Sequence, residues 1–356
     1  MKRILAVLLA LVLLTGCTPF QRSSYVSVTP HNEDYQVAVD SSALTVSGYL
    51  SLKNAILGLV EDAVEEGVIR AESYSGDLSQ DLSSAVYEVS RGDPLGAFAV
   101  DYMTYDYSQI VGYYEIHIHT TYRRTLEEIQ SVKSTSGVEG VRSRLRDAMG
   151  EYDSLLRIRV EDYGSLDMDE LVQQVFEDNP EFALELPQTE ITSFPDTGSR
   201  RILEITFRYP HTQASLESFR DETAEQVAKL AGLYGSENSD AASAQRLLER
   251  LIRDGELTSD SSGFSDSAYG ALCLNKATSL GFCQAYLLLL REMNIPCHLV
   301  RGTYGVEKLV WCQLQLDGER YYVDPTRGLV TGDTTGALIP ESSLTALGYV
   351  LDSQED

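Results

Sequence analysis

The sequence predicts an α+β protein: two small modules of mixed helix and strand, then a larger C-terminal domain. Three observations predict this. A helix–strand pattern occurs twice: Leu82, Val86, Val89 and Asp93-Pro94 are matched 86 positions on by Met168, Val172, Val175 and Asn179-Pro180, and Tyr122 by Tyr209 at 87. Strand-like alternation appears in Tyr114-Glu115-Ile116-His117-Ile118, where successive side chains point to opposite faces. The last third combines a strongly amphipathic helix, AASAQRLLERLIRDGEL, with a long apolar one, SLGFCQAYLLLL.

The elements follow in chain order. Lys2 and Arg3 precede eleven uninterrupted apolar residues, Ile4 to Leu14. That run is too short to span a bilayer but right for a secretory leader. Its end, Leu14-Thr15-Gly16-Cys17, resembles the lipobox of bacterial lipoproteins. The resemblance implies cleavage before Cys17, diacylation of the Cys17 sulfur, and a protein tethered to the membrane on its extracytoplasmic face. The signal peptide is expected at 1–16 and the lipidated cysteine with a polar tether at 17–45. Without Lys2 and Arg3 the chain has 26 basic residues against 54 acidic ones, a net charge near −28. Such a charge repels polyanions, so nucleic acid is excluded as a partner, and only the anchor holds the protein to anionic lipid.

Module 1 is expected at 46–135 and module 2 at 136–225, each reading α-β-α-β-β. The helices are expected near 52–66 and 80–91 in the first and 138–149 and 168–177 in the second. The short strands between them end at Tyr74 and Tyr163, and the Asp/Asn-Pro pairs stop the second helices. Little here suggests chemistry. His117 and His119 lie two apart on a strand and share a face, but no third ligand stands at a telling spacing, so no metal site is expected. The stretch DYMTYDYSQIVGYY suits strand packing, and EDNPE lacks the spaced oxygen ligands and glycine of a calcium loop. No cofactor is expected anywhere.

The domain expected at 226–340 carries the candidate chemistry; 341–356 reads as an acidic tail. Ala268-Tyr269-Gly270-Ala271-Leu272, Gly281-x-Cys283-x-x-Tyr286, Met293-Asn294-Ile295-Pro296-Cys297 and Leu316 through Val323-Asp324-Pro325-Thr326 stand in that order. Together they resemble the core of the transglutaminase-like superfamily over residues 237–330. The resemblance implies a papain-like fold with a cysteine at a helix N-terminus and a histidine and an aspartate on successive antiparallel strands. Helix dipole and free N–H groups would favour the thiolate, the imidazole would shuttle the proton, and the carboxylate would fix its tautomer. Cys283 and Asp324 take the first and third places. The family's His-Ala-Trp-Asn reads Leu309-Val310-Trp311-Cys312 here, so the imidazole's place is taken by Leu309.

Without a base, Cys283 is expected to stay a thiol near its free pKa of about 8.5, or higher if buried. A hairpin turning at Tyr304-Gly305 would set His298 opposite Trp311, making His298 a surrogate base one pleat from Leu309. The same register sets Cys297 opposite Cys312. That leaves open a cross-strand disulfide, strained in a regular hairpin, or two free thiols. The expectation is a lipid-anchored surface protein whose domain has lost catalysis and binds an extended peptide or a cell-surface protein, with Trp311 and Tyr286 lining its cleft beside Cys283 and Asp324. The alternative is an active cysteine enzyme, transglutaminase- or protease-like, acting on amide bonds with Cys283 as nucleophile and a non-standard base such as His298 or another group.

Overall fold

The computed structural model describes residues 44–234, 239–332, 334 and 338–352. The leader, Cys17 and most of the tether therefore lie outside the described residues. The chain divides into two compact units, one ending at Gln130 and the other beginning at Ser131.

The first unit runs β1 (Leu44–Gly48), α1 (Tyr49–Glu61), β2 (Glu66–Ser75), α2 (Leu78–Tyr87), α3 (Pro94–Ala99), β3 (Val100–Ile110), β4 (Tyr113–Tyr122) and α4 (Leu126–Gln130). Its sheet has the order β1-β2-β4-β3, with β1 parallel to β2 and the other pairs antiparallel. Alternation in β4 buries Ile116 and Ile118 against the helices and leaves His117 and His119 half-exposed on the open face. The Asp93-Pro94 pair starts a helix as well as stopping one. The Asp93 carboxylate accepts from the Leu95 N–H at 2.9 Å, and Pro94 takes the first helical position, where its missing N–H costs nothing.

The second unit opens with β5 (Lys133–Ser134), α5 (Gly137–Gly150), β6 (Leu155–Val160), α6 (Met168–Asp178), β7 (Gln188–Phe194) and β8 (Arg201–Arg208). These form a sheet in the order β5-β6-β8-β7, again with the first pair parallel. The α-β-α-β-β reading is thus corrected in both places by a strand ahead of the first helix. At five residues (Leu44–Gly48) and two (Lys133–Ser134) these strands are too short to show a period.

The unit continues with α7 (Gln213–Tyr234), α8 (Asp240–Asp254), β9 (Glu256–Leu257), α9 (Ala268–Leu272), β10 (Lys276–Ala277), α10 (Ser279–Glu292), β11 (Cys297–Tyr304), β12 (Glu307–Leu316), β13 (Glu319–Val323), α11 (Pro325–Thr331), β14 (Leu338–Pro340), α12 (Glu341–Leu344) and β15 (Tyr349–Leu351). Five strands form one sheet in the order β14-β13-β12-β11-β15. Helix α10 lies in the core between this sheet and α8. It is apolar over most of its surface, as a largely enclosed helix must be, with Gln284 its one fully buried polar side chain. The second module packs onto this region as one body. Gln284 on α10 donates to the Phe176 and Glu177 carbonyls, Arg301 on β11 pairs with the Glu177 carboxylate, and Tyr269 shares the module's core. The stretch from Glu341 to Leu351, expected as an acidic tail, instead forms α12 and β15. Leu344 and Tyr349 are buried, and apolar anchoring outweighs the local acidic charge.

Candidate functional site

The site is organised by the start of α10 and by the two faces of the strands beside it. Thr278 caps the helix: its hydroxyl accepts from the Gly281 N–H at 3.4 Å and donates to the Asp266 carboxylate at 2.6 Å. The first helical residue is therefore Ser279, and Cys283 sits one full turn further in, about 6 Å along the axis. This corrects the placement of Cys283. The end of the helix, where free N–H groups and the dipole act, belongs to Ser279. Its half-buried hydroxyl accepts from that of Thr326 at 2.5 Å.

Cys283 is fully buried, and its thiol donates to the Val310 carbonyl at 3.4 Å. The thiol of Cys312, also fully buried, donates to the Cys283 carbonyl at 3.4 Å. The neighbouring Cys312 thiol, burial and the Asp324 charge raise the Cys283 pKa well above its ordinary value, against a smaller opposing effect of the Ser279 hydroxyl. Each raising influence penalises an anion in that place, so Cys283 is a neutral thiol across the physiological range.

The hairpin register also differs from the expected one. The turn is made by Gly305 and Val306, with Gly305 left-handed at φ +63°, so Tyr304 pairs with Glu307 and His298 with Gln313 rather than Trp311. Cys297 faces Leu314, not Cys312, and both cysteines are free thiols. The expected turn was one residue early, and each residue of turn displacement moves the pairing by two. His298 is exposed. Its neighbour Cys297 points at the Leu287 carbonyl of α10, so the alternation of the strand turns His298 to the face away from that helix. Cys283 meets β12 at Val310 and Cys312, on the α10 face. The surrogate base and the thiol are thus on opposite sides of the sheet.

Leu309 and Trp311 share the far face as well. Trp311 is 1% exposed, in a cluster with Val300, Tyr322, Ile339, Leu344 and Tyr349 that Leu309 borders. Its ring meets that of Tyr349 edge-on at 5.2 Å. Tyr286 is fully buried too, its hydroxyl donating to the Ala244 carbonyl of α8 at 3.0 Å. Neither aromatic side chain faces an open cleft; both are core. Asp324 is 6% exposed and fully engaged. One oxygen accepts from the Thr326 N–H at 2.9 Å, capping α11, and the other accepts from the Tyr349 hydroxyl at 2.9 Å. Burial and the Asp324 carboxylate push the Tyr349 pKa up, so the phenol keeps its proton.

Ser279, Thr326 and Tyr349 are the residues that sequence reasoning missed. For Ser279 the signal was present: a threonine just before the apolar run is a helix cap, which fixes the first turn. For Tyr349 none was, because the contact joins strands far apart in sequence.

In the first unit, His119 bridges two carboxylates, with Nδ1 2.6 Å from Glu66 and Nε2 3.0 Å from Asp106, while His117 lies 3.3 Å from Glu115. Among the described residues no three or more His, Cys, Asp and Glu side chains are placed to hold a metal ion. The Asp106 hydrogen bond, then that of Glu66, raises the His119 pKa against a lowering by burial. A raised folded pKa stabilises below the unfolded value of about 6.5 and loses that stabilisation as pH rises through the folded value. We expect thermal unfolding at low salt to show this unit losing a few tenths of a kcal/mol as pH rises from about 6 to 8, with His119→Gln flattening that segment. The effect is small because the side chain is partly exposed and screened.

Comparison with known proteins gives two findings. Residues 1–18 match the model of the prokaryotic membrane lipoprotein lipid attachment site, and no described helix is long and apolar enough to cross a membrane. Among solved structures, a TGase is similar at 13% identity and a TM-score of 0.28, over 61% of this chain and 62% of that one, under two thirds of its length. A candidate cysteine protease from Cytophaga hutchinsonii gives 13% and 0.28 over 47% and 71%. A candidate protease from Parabacteroides distasonis gives 10% and 0.25 over 72% and 39%. No curated protein matches the sequence. At such TM-scores these likenesses have no bearing on what the site does; the chain is a mixed α/β protein with a lipoprotein attachment site.

Proposed function

We propose that the chain is a lipid-anchored protein on the extracytoplasmic face of a bacterial membrane. Its signal peptide would be 1–16, followed by the lipidated Cys17 and a tether, and its two modules, expected at 46–135 and 136–225 and divided between Gln130 and Ser131 in the fold, would be products of a duplication. The domain at 226–340 keeps the layout of the transglutaminase-like superfamily without its chemistry, and works by holding an extended peptide or a cell-surface protein. The observation that carries this reading is the state of the three catalytic places. The helix N-terminus bears a serine hydroxyl, and the nearby thiol is buried and protonated. The imidazole's place holds Leu309. The carboxylate of Asp324 is spent on a backbone cap and a tyrosine. Nucleophilic catalysis needs a nucleophile and a base within hydrogen-bond reach, and loss of either member costs on the order of 10⁴-fold.

The test is alkylation of the soluble chain (residues 18–356) by iodoacetamide as a function of pH, with Cys283→Ala as blank. Cys283 is expected to react only on unfolding, and His298→Ala should change nothing. Rapid modification of Cys283 below pH 7, abolished by His298→Ala, would instead reveal a hidden base and revive the reading as a cysteine enzyme.

A further inference from the structure

The far face of the C-terminal sheet carries a seat that the chain fills with its own last strand. Strand β15 pairs antiparallel with the outer edge of β11: Tyr304 with Tyr349, Thr303 with Val350, Gly302 with Leu351. The Gly305 N–H donates to the Gly348 carbonyl and the Asp352 N–H to the Arg301 carbonyl. Gly302 is shaped for this approach. A Cβ there would lie 2.1 Å from the Val350 carbonyl oxygen and 2.6 Å from the Trp311 ring, so only glycine lets strand and indole close over it. Just ahead of β15, Gly348, at φ +95°, turns the backbone into the strand.

The grip is concentrated in one side chain. Val350 is 58% exposed and Leu351 38%, whereas Tyr349 is 2% exposed. Its ring lies against Tyr304 at 4.7 Å and Trp311 at 5.2 Å, and its hydroxyl donates to the buried Asp324 carboxylate. Backbone pairing supplies generic affinity and a single pocket supplies the choice, which is how a sheet edge recognises an added strand.

We infer that the β11 edge and the Trp311–Asp324 pocket form a binding site for an extended, tyrosine-bearing segment of a partner protein, occupied in this structure by the chain's own β15. The inference rests on the domain being a binding module. A phenol is selected because the buried carboxylate needs a donor that a phenylalanine lacks. A partner strand competes with β15, whose tethering gives it an effective concentration in the millimolar range.

The experiment uses the soluble full chain and a synthetic peptide of residues 346–352, ALGYVLD. Trp311 is the chain's one tryptophan, so its fluorescence reports the seat alone. Tyr349→Ala empties the pocket. Val350→Pro, at an exposed position, removes the Thr303–Val350 strand bond and spares the core. Far-UV circular dichroism identifies which variant is folded, and either suffices. Saturable quenching or shift of Trp311 by the peptide is expected in a folded variant and not in the wild type. A peptide with Phe for Tyr should bind about 10- to 100-fold more weakly. No saturable change in a folded variant, or an equal response to the Phe or a scrambled peptide, overturns the site. Alkylation of Cys283 is read in the wild-type chain without peptide, and peptide binding in the variants by Trp311 fluorescence, so this inference and the non-catalytic reading fail separately.

Discussion

Trp311→Ala should destabilise the unit beginning at Ser131 by about 3–5 kcal/mol, measured by urea unfolding followed by far-UV circular dichroism. The magnitude follows from where the indole sits. It is 1% exposed, closed in by Val300, Tyr322, Ile339, Leu344 and Tyr349, and its ring stands 2.6 Å from where a Cβ on Gly302 would be. Truncation leaves a cavity at the centre of a small cluster whose neighbours are held by sheet pairing and cannot collapse into it. Among the described residues the indole N–H has no hydrogen-bond partner, so the loss is one of burial and packing, with no broken bond to add. Trp311→Phe, which keeps part of the ring volume, should cost about half as much or less. The measurement also separates two views of this residue. A tryptophan lining an open peptide cleft would cost under about 1 kcal/mol on truncation, as other exposed positions do.

The helices that carry a clear 3.6-residue period were legible in the sequence. The reading at 138–149 meets a helix at Gly137–Gly150, and that at 168–177 meets Met168–Asp178. The amphipathic run from Asp240 buries Leu247, Leu248 and Leu251 as its spacing requires. What the sequence hid falls into two physical kinds. One is position along an element. In SLGFCQAYLLLL no polar face marks the first turn, so a cysteine one turn inside looks as terminal as Ser279 does. The one cue is Thr278 just ahead of the run, and its bond from the Gly281 N–H makes Ser279 the terminal residue. The other is long-range pairing. The choice between Tyr304-Gly305 and Gly305-Val306 as the turn is a single residue, yet it moves His298 from Trp311 to Gln313 and separates Cys297 from Cys312. The pairing of Tyr349 with β11 and Asp324 is set by tertiary geometry alone, and acidic neighbours at the end of the chain conceal it.

Ser279→Cys should produce a thiol that iodoacetamide modifies at pH 7 at least about 10³-fold faster than Cys273, Cys283 or Cys297 of the folded chain. Position 279 is half-buried and opens α10, where unpaired N–H groups and the helix dipole stabilise a thiolate and bring its pKa below the free value of about 8.5. Burial drives the native thiols the other way, Cys273 to about 11 and Cys297 to about 12, and it adds to the Cys312 contact at Cys283. At pH 7 a thiol of pKa near 11 is anionic only about once in 10⁴, while one near 7.5 is so about a quarter of the time. Asp324 tempers the gain: its carboxylate holds the N–H of Thr326, whose hydroxyl meets position 279, and a nearby carboxylate disfavours a second anion. Asp324→Asn in the Ser279→Cys background should therefore raise the rate at pH 7 further. Mass mapping of the labelled site against Cys283→Ala checks both expectations. A variant whose modified residue is Cys283 rather than position 279 would return the nucleophile's place to Cys283. Labelling confined to position 279 would mean that the fold still offers an activating helix end and that a serine facing Thr326 stands there.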